Sequence, residues 1–252
     1  ALRQFIIEAG VELKLKQTAK KIMVDSKQVT GVKTQQGRSY EGANVLLAAG
    51  GKAYPGTGST GDGYQLASEV GHKIIKINPS LVPLVTKEEW VTEAQGLTLK
   101  NVRVTLEAAG EKIAEEFGEL LFTHFGISGP TVLTLSRQAV EHLDQEVKLK
   151  IDLKPALSFD QLDDRLQRDF AKYSRKQFKN SLGDLLPAKL RPVIVQLVSI
   201  PARKFVNQIT KDERQELAKL LTNLELTITG TKGFKQAIVT AGGVSTAEIK
   251  PS

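Results

Sequence analysis

Apolar residues recur along this chain first at helical spacing, then at strand spacing, then as a short unbroken run. Each change of period marks a change of element. In the opening ALRQFIIEAG, Leu2, Phe5 and Ile6 share one helical face, and Gly10 is placed to end the helix. VELKL (11–15) alternates apolar and polar residues, as a half-buried strand does. KKIMVDS and QVTGVKT read as a hairpin turning at Ser26 and Lys27, and QQGR makes the next turn. Residues 45–49 form an apolar run ending in two glycines, the pattern of a strand buried on both faces in a parallel sheet. The turn GKAYPGTGSTGDG leads into a helix with Leu66, Ala67 and Val70 inward and Gly71 as its cap.

From 74 to 153 the period is mostly two. KIIKI, LVPLV, NVRVTLEAA and VKLKIDL read as strands, with a helix from Pro130 to about His142. From 158 to 222 the period is helical. Ser158 caps the first helix, Pro187 opens a second that Pro192 limits, and Leu217, Leu220, Leu221 and Leu224 mark the apolar face of a third. LELTITG and QAIVTAGGV return to strand character.

The pattern predicts an α/β plus α+β protein. Residues 1–77 form an α/β layer, 78–156 with 223–240 a β-rich domain, and 157–222 a helical insert; 241–252 return towards the first layer. The chain opens inside a helix without Met and stops after a glycine turn, so both ends are read as cuts and the chain as an internal piece of a longer protein.

Composition adds little to that frame. With 40% hydrophobic and 25% charged residues the chain is ordinary globular material. It has no cysteine, so disulfides and thiol chemistry are excluded, which fits a cytoplasmic protein. No apolar stretch approaches the roughly 20 residues of a membrane helix. The net charge of +7 is concentrated: residues 154–219 hold fourteen Lys or Arg against eight Asp or Glu. The ordinary reading is a solvated helical surface; the alternative is a nucleic-acid-binding face centred on Lys172, Arg175, Lys176 and Lys179.

Candidate chemistry lies at the end of the apolar run. Ala48, Ala49, Gly50 and Gly51 are followed by Thr60-Gly61-Asp62-Gly63 and a helix. Glycines let backbone approach a ligand closely, and a helix N-terminus attracts anions. Asp62 does not suit contact with a phosphate; it suits ribityl hydroxyls or backbone N–H groups. His124, in FTHFGISGP, is the sharpest catalytic candidate, able to orient substrate or shuttle a proton. Thr123 and Ser128 flank it, and Ser128 is placed to cap the next helix. His72 and His142 follow helices and read as structural. No His pair has metal-ligand spacing, so no metal site is expected.

Together, NVLLAAGG and TGDGYQLASEVGH resemble the FAD-binding flavoproteins of the fumarate reductase and glutathione reductase superfamily. More closely, AAGGKAYPGTGSTGDGY, NPSLVPL, GELLFTHFGISGP and TAGGV, in that order, resemble the aminoacetone oxidase-like family of bacterial flavoproteins. The resemblance implies a discontinuous, Rossmann-like FAD domain whose pyrophosphate-binding N-terminal turn and closing glycine-rich segment lie outside this chain. It also implies that the full protein is an FAD-dependent oxidoreductase acting on a small organic molecule, an amine or an unsaturated compound. Carried over by position, residues 48–51 would border the dinucleotide and Gly61, Asp62 and Gly63 would lie beside it. Backbone of Thr18, Ala19 and Lys20 would meet the adenine, and Gly242 and Gly243 would approach the flavin ring. Tyr54 and Pro55, with Thr123 and Ser128, would shape the substrate pocket. Ala49 replaces the Thr common in the superfamily, which removes a hydroxyl.

By itself this chain is expected not to hold FAD tightly and to be inactive, because the first strand–turn–helix unit supplies the pyrophosphate contacts. The run at 45–49 should then lie at an exposed edge, or be covered by a second copy of the chain. Equilibrium dialysis of FAD against this chain is the test, and sub-micromolar binding would show a self-contained site.

Overall fold

A computed structural model describes residues 2–250. The chain divides into two compact units, one of residues up to 77 with those from 242 onwards, the other of residues 78–241.

In the first unit, helix α1 (Leu2–Glu8) is followed by a three-stranded sheet of β1 (Ala19–Asp25), β2 (Gln28–Thr34) and β3 (Ser39–Glu41), ordered β1-β2-β3. Both pairings are antiparallel. The hairpin turns at Ser26 and Lys27, both left-handed (φ 49° and 67°), the backbone that matches strand twist in a two-residue loop. Helix α2 (Asp62–Glu69) packs against β1 and buries Gly63, Leu66 and Ala67.

Two expected strands are not formed. Residues 11–15 are irregular and exposed, because alternation without a partner strand cannot satisfy the backbone. Residues 45–49 are also irregular, and Leu46 is 92% exposed. No described strand pairs with this run, so the expected parallel layer is not formed there. Its contacts go instead to α2, whose Gly63 packs against Ala49 and Leu47.

The chain leaves the first unit along β4 (Ile74–Ser80) and returns along β11 (Val239–Val244), which pair as a two-stranded sheet.

The second unit is built on a closed barrel. Its strands are β5 (Leu84–Thr86), β6 (Thr98–Ala108), β7 (Glu111–Phe122), β8 (Gly126–Ser128), β9 (Val147–Asp152) and β10 (Leu224–Thr231), ordered β10-β5-β8-β7-β6-β9. Alternation sets the two faces. Val102, Val104 and Leu106, with Val147, Leu149, Ile151, Leu224 and Leu226, fill the interior. Between them, outward residues pair across strands, Lys150 with Glu107 at 2.7 Å and Lys148 with Glu225 at 2.8 Å. Strand β7 escapes sequence reading because only Leu120 and Phe122 of its twelve residues are buried.

Helix α3 (Pro130–Glu141) packs on β7, with Pro130 in its first turn. Three further helices follow β9: α4 (Phe159–Lys172), α5 (Leu190–Leu197) and α6 (Lys211–Thr222). Ser158 and Thr210 close capping boxes on α4 and α6. Helix α5 begins at Leu190 rather than Pro187, which leaves Pro192 in a first turn that needs no N–H. Leu224 belongs to β10, not to the face of α6. Leu162, Leu166, Val193, Ile194, Leu217 and Leu221 join the barrel residues in one apolar core.

Two predictions follow from this packing. Gly126 has φ 152°, and a Cβ there would lie 2.2 Å from the Leu84 carbonyl oxygen of the neighbouring strand. Gly126→Ala should therefore cost about 3 kcal/mol, read as a lower urea midpoint at unchanged slope. Helices α4 and α6 are tied by Arg214, which donates to both oxygens of Asp163 at 2.6 and 3.0 Å, with both side chains nearly buried. Arg214, with help from Gln167, holds the Asp163 carboxyl below its usual range. This contribution is complete above the ordinary carboxylate pKa of about 3.9 and is lost as pH falls through the lowered folded value. Asp163→Asn should cost roughly 1–2 kcal/mol at neutral pH. The difference from wild type should shrink below about pH 4 in acid-unfolding curves.

Candidate functional site

In the first unit the glycine-rich turn has an unusual backbone. Tyr54 is left-handed (φ 54°) and leads into a single 3-10 turn at Pro55–Thr57. Gly50, Gly58 and Gly61 have φ of 74°, 98° and 88°, which L side chains rarely adopt. Gly61 is the N-cap of α2 and supplies no side-chain acceptor, and of the first-turn N–H groups that of Tyr64 donates to the Gly61 carbonyl at 3.1 Å. Gly56, Gly58 and Gly61 also have Gly-x-Gly-x-x-Gly spacing. This spacing is a sequence signal that the glycine-turn reading above does not use.

The candidate residues around this turn differ in what they do. A Cβ at Gly63 would meet the Ala49 Cβ at 3.0 Å, so Gly63 lets the turn close on α2. Asp62 stands exposed in the first turn, where its carboxylate complements the helix N-terminus and repels a second anion. Ala48, Ala49 and Gly50 are exposed, as are Tyr54 and Pro55, and Gly51 is half-buried. Thr18 accepts a hydrogen bond from the Gln35 N–H at 2.9 Å, and Ala19 opens β1 opposite Thr34. Beside them, the buried Gln17 Oε1 has no hydrogen-bond partner among the described residues. Gly242 and Gly243 are required by packing: a Cβ at Gly242 would lie 2.1 Å from the Lys76 carbonyl oxygen, and one at Gly243 3.0 Å from the Tyr64 ring. His72, read as structural, faces Glu248 at 3.1 Å.

These residues fit one end of a dinucleotide. The glycine turn allows close approach of a ligand, and the Asp62 carboxylate at the start of α2 suits hydroxyl donors rather than a phosphate.

In the second unit, Thr123, His124 and Ser128 surround the β7–β8 turn. Thr123 is committed to that turn, with its N–H and its hydroxyl both donating to the Gly126 carbonyl at 2.8 and 3.0 Å. His124 is exposed at the tip, edge-on to Phe125 with centroids 4.9 Å apart. Lys232 Nζ lies 4.6 Å above the Phe125 ring. Ser128 is a β8 residue and does not cap α3; Gly129, with φ 97° and ψ 168°, takes that position. The sequence reading missed Ser136, whose fully buried hydroxyl accepts from the Val82 N–H at 3.0 Å. A lone Ser inside an apolar helix face carried no signal of that bond. The cofactor-side candidates thus fall in the first unit and the His124 group in the second.

Among the described residues no helix is long and apolar enough to cross a membrane.

Curated proteins similar to this chain include the following three. A 3-dehydro-bile acid delta(4,6)-reductase of Clostridium scindens is 31% identical over 85% of the chain and 53% of its own length. Ribosomal RNA dihydrouridine synthases of Haemophilus influenzae and Escherichia coli are 32% and 31% identical, over 82% and 81% of the chain and 49% of their own lengths. The chain therefore spans about half the length of the curated relatives it matches. These names differ from the aminoacetone oxidase-like family expected above, so only the wider flavoprotein superfamily is retained from that resemblance. The family described as HI0933-like protein barrel and H2TH domain matches residues 78–239, the closed barrel and its helices. On that match the chain belongs to the HI0933-like family, within the FAD-dependent oxidoreductase superfamily.

Proposed function

We propose that the protein containing this chain is a flavin-dependent reductase of a carbon–carbon double bond activated by a neighbouring carbonyl. The observation that carries this reading is the pair of reactions named in the relatives. A delta(4,6)-reductase of a 3-dehydro-bile acid and a dihydrouridine synthase both saturate a ring double bond conjugated to a carbonyl. Of the two substrate types expected from sequence, this favours the unsaturated compound over the amine. FAD, when bound, supplies the two-electron hydride chemistry that such a reduction needs. The glycine turn at 50–63 would border the cofactor, with Asp62 accepting from its hydroxyls rather than facing a phosphate, and the backbone of 18–20 would meet its adenosine end. His124 is assigned the second hydrogen, delivered to the substrate as a proton.

A second reading concerns the substrate alone. Two of the relatives are named for ribosomal RNA, and this chain carries its excess positive charge in one helical segment. Both features favour a ring presented within an RNA strand over a free small molecule.

The test uses the full-length protein, reduced anaerobically with dithionite and mixed with a conjugated steroid ketone, a uridine-containing RNA or a primary amine. Return of the oxidised flavin spectrum with either unsaturated substrate is the expected result. Reduction of the oxidised flavin by the amine, with no response to either unsaturated substrate, would reverse the assignment. His124→Gln should slow turnover about a hundredfold or more at unchanged flavin content.

A further inference from the structure

Residues 172–179 contain Lys172, Arg175, Lys176 and Lys179 and no acidic side chain. The stretch leaves α4 and lies antiparallel to residues 202–206. Phe178 N–H donates to the Lys204 carbonyl at 2.9 Å, Lys179 N–H to that of Ala202 at 3.1 Å, and Val206 N–H to that of Lys176 at 3.0 Å. Gln177 stands opposite Phe205. Phe178, in a 3-10 turn at Phe178–Asn180, and Val206, in another at Val206–Gln208, enter the core, while Lys179, Arg203 and Phe205 are exposed.

The acidic residues nearby are already engaged. Asp184 takes Lys172 at 2.7 Å and the Tyr173 hydroxyl, and Glu213 takes Lys204 at 2.7 Å. Lys176 Nζ lies 4.1 Å over the Tyr173 ring. Among the described residues, no carboxylate pairs with Arg175, Lys179 or Arg203. Phe205, two residues from Arg203 and opposite Gln177, is 46% exposed. Lys179 and Ala202 of the same paired stretch line a groove of about 590 Å³, with Pro192 and Val195 on its walls and Asn180 and Arg191 at its polar positions, Arg191 donating to the Leu186 and Gly183 carbonyls. A merely solvated surface does not account for an exposed ring and an apolar groove in a stretch that carries unpaired cations. Phosphates need cations, bases need flat apolar platforms, and single-stranded nucleic acid needs both together.

We propose that this face binds a single-stranded segment of RNA, with phosphates on Lys176, Lys179 and Arg203, one base stacked on Phe205 and the next in the groove. The choice of RNA rests on the second reading above. The site itself rests on the geometry of 172–206. Asn180 in the groove is a side chain suited to the ribose 2′-hydroxyl.

The experiment is fluorescence anisotropy of a labelled, unstructured RNA oligonucleotide with the intact full-length protein. Same-sequence DNA, duplex RNA and polyglutamate serve as competitors. The double variant Lys179→Glu, Arg203→Glu should weaken binding roughly tenfold or more and reduce the salt slope by about 1.4. Phe205→Leu keeps an apolar side chain at an exposed position. It should weaken single-strand binding about fivefold or more and leave the salt slope unchanged. Lys100→Glu on β6 should bind as wild type. Flavin reoxidation by the small steroid ketone should be unchanged in all variants, so loss of RNA binding and loss of reductase chemistry are read separately. Wild-type affinity in the double variant or in Phe205→Leu, an equal loss in Lys100→Glu, or equal competition by duplex RNA, DNA or polyglutamate would overturn the proposal.

Discussion

Closure of the six-stranded barrel is the constraint on which the second unit depends. A sheet edge leaves N–H and C=O groups unpaired, and β10 removes the edge by bonding to β5 on one side and β9 on the other. β5 and β8 have only three residues each, so closure rests on close approach rather than length. Gly126 is where that approach is tightest, because the Leu84 carbonyl occupies the space of a side chain. The strand register then sends every second side chain inward, and the apolar interior follows from it.

The helices complete this core rather than forming one of their own. Their buried leucines and valines are continuous with the barrel residues. The capping boxes and the Arg214–Asp163 pair fix α4 and α6 against each other. With those ends fixed, the segments 172–180 and 198–206 carry Arg175, Lys179 and Arg203, which no carboxylate among the described residues pairs with. Charge becomes available for a partner because the local acidic residues are used in holding the helices and their turns.

The first unit works on a different principle. Its buried apolar set is small, with Ile22, Ala53, Leu66 and Ala67 its buried members. Its geometry is set by glycines instead: Gly31 under Tyr40, Gly63 against Ala49, Gly242 against Lys76. A backbone held this way packs closely at points where a side chain would clash.

Much of this was legible in the sequence, for reasons particular to each element. The hairpin at Ser26–Lys27, the strands β6, β9 and β10 and the capped helices α4 and α6 announce themselves through local period and local caps, which need no tertiary partner. Residues 45–49 have the composition of a buried strand, yet a strand exists only where another strand bonds to it, and none of the described ones does. β7 was invisible for the opposite reason: its pairing with β6 and β8 fixes it as a strand while most of its side chains face solvent. The glycine turn and the basic segment were readable as chemistry. Closure of the barrel, the commitment of Thr123 to its turn and the placing of Phe205 opposite Gln177 were not. Those depend on which distant segments meet, and a one-dimensional pattern of polar and apolar residues does not encode that pairing.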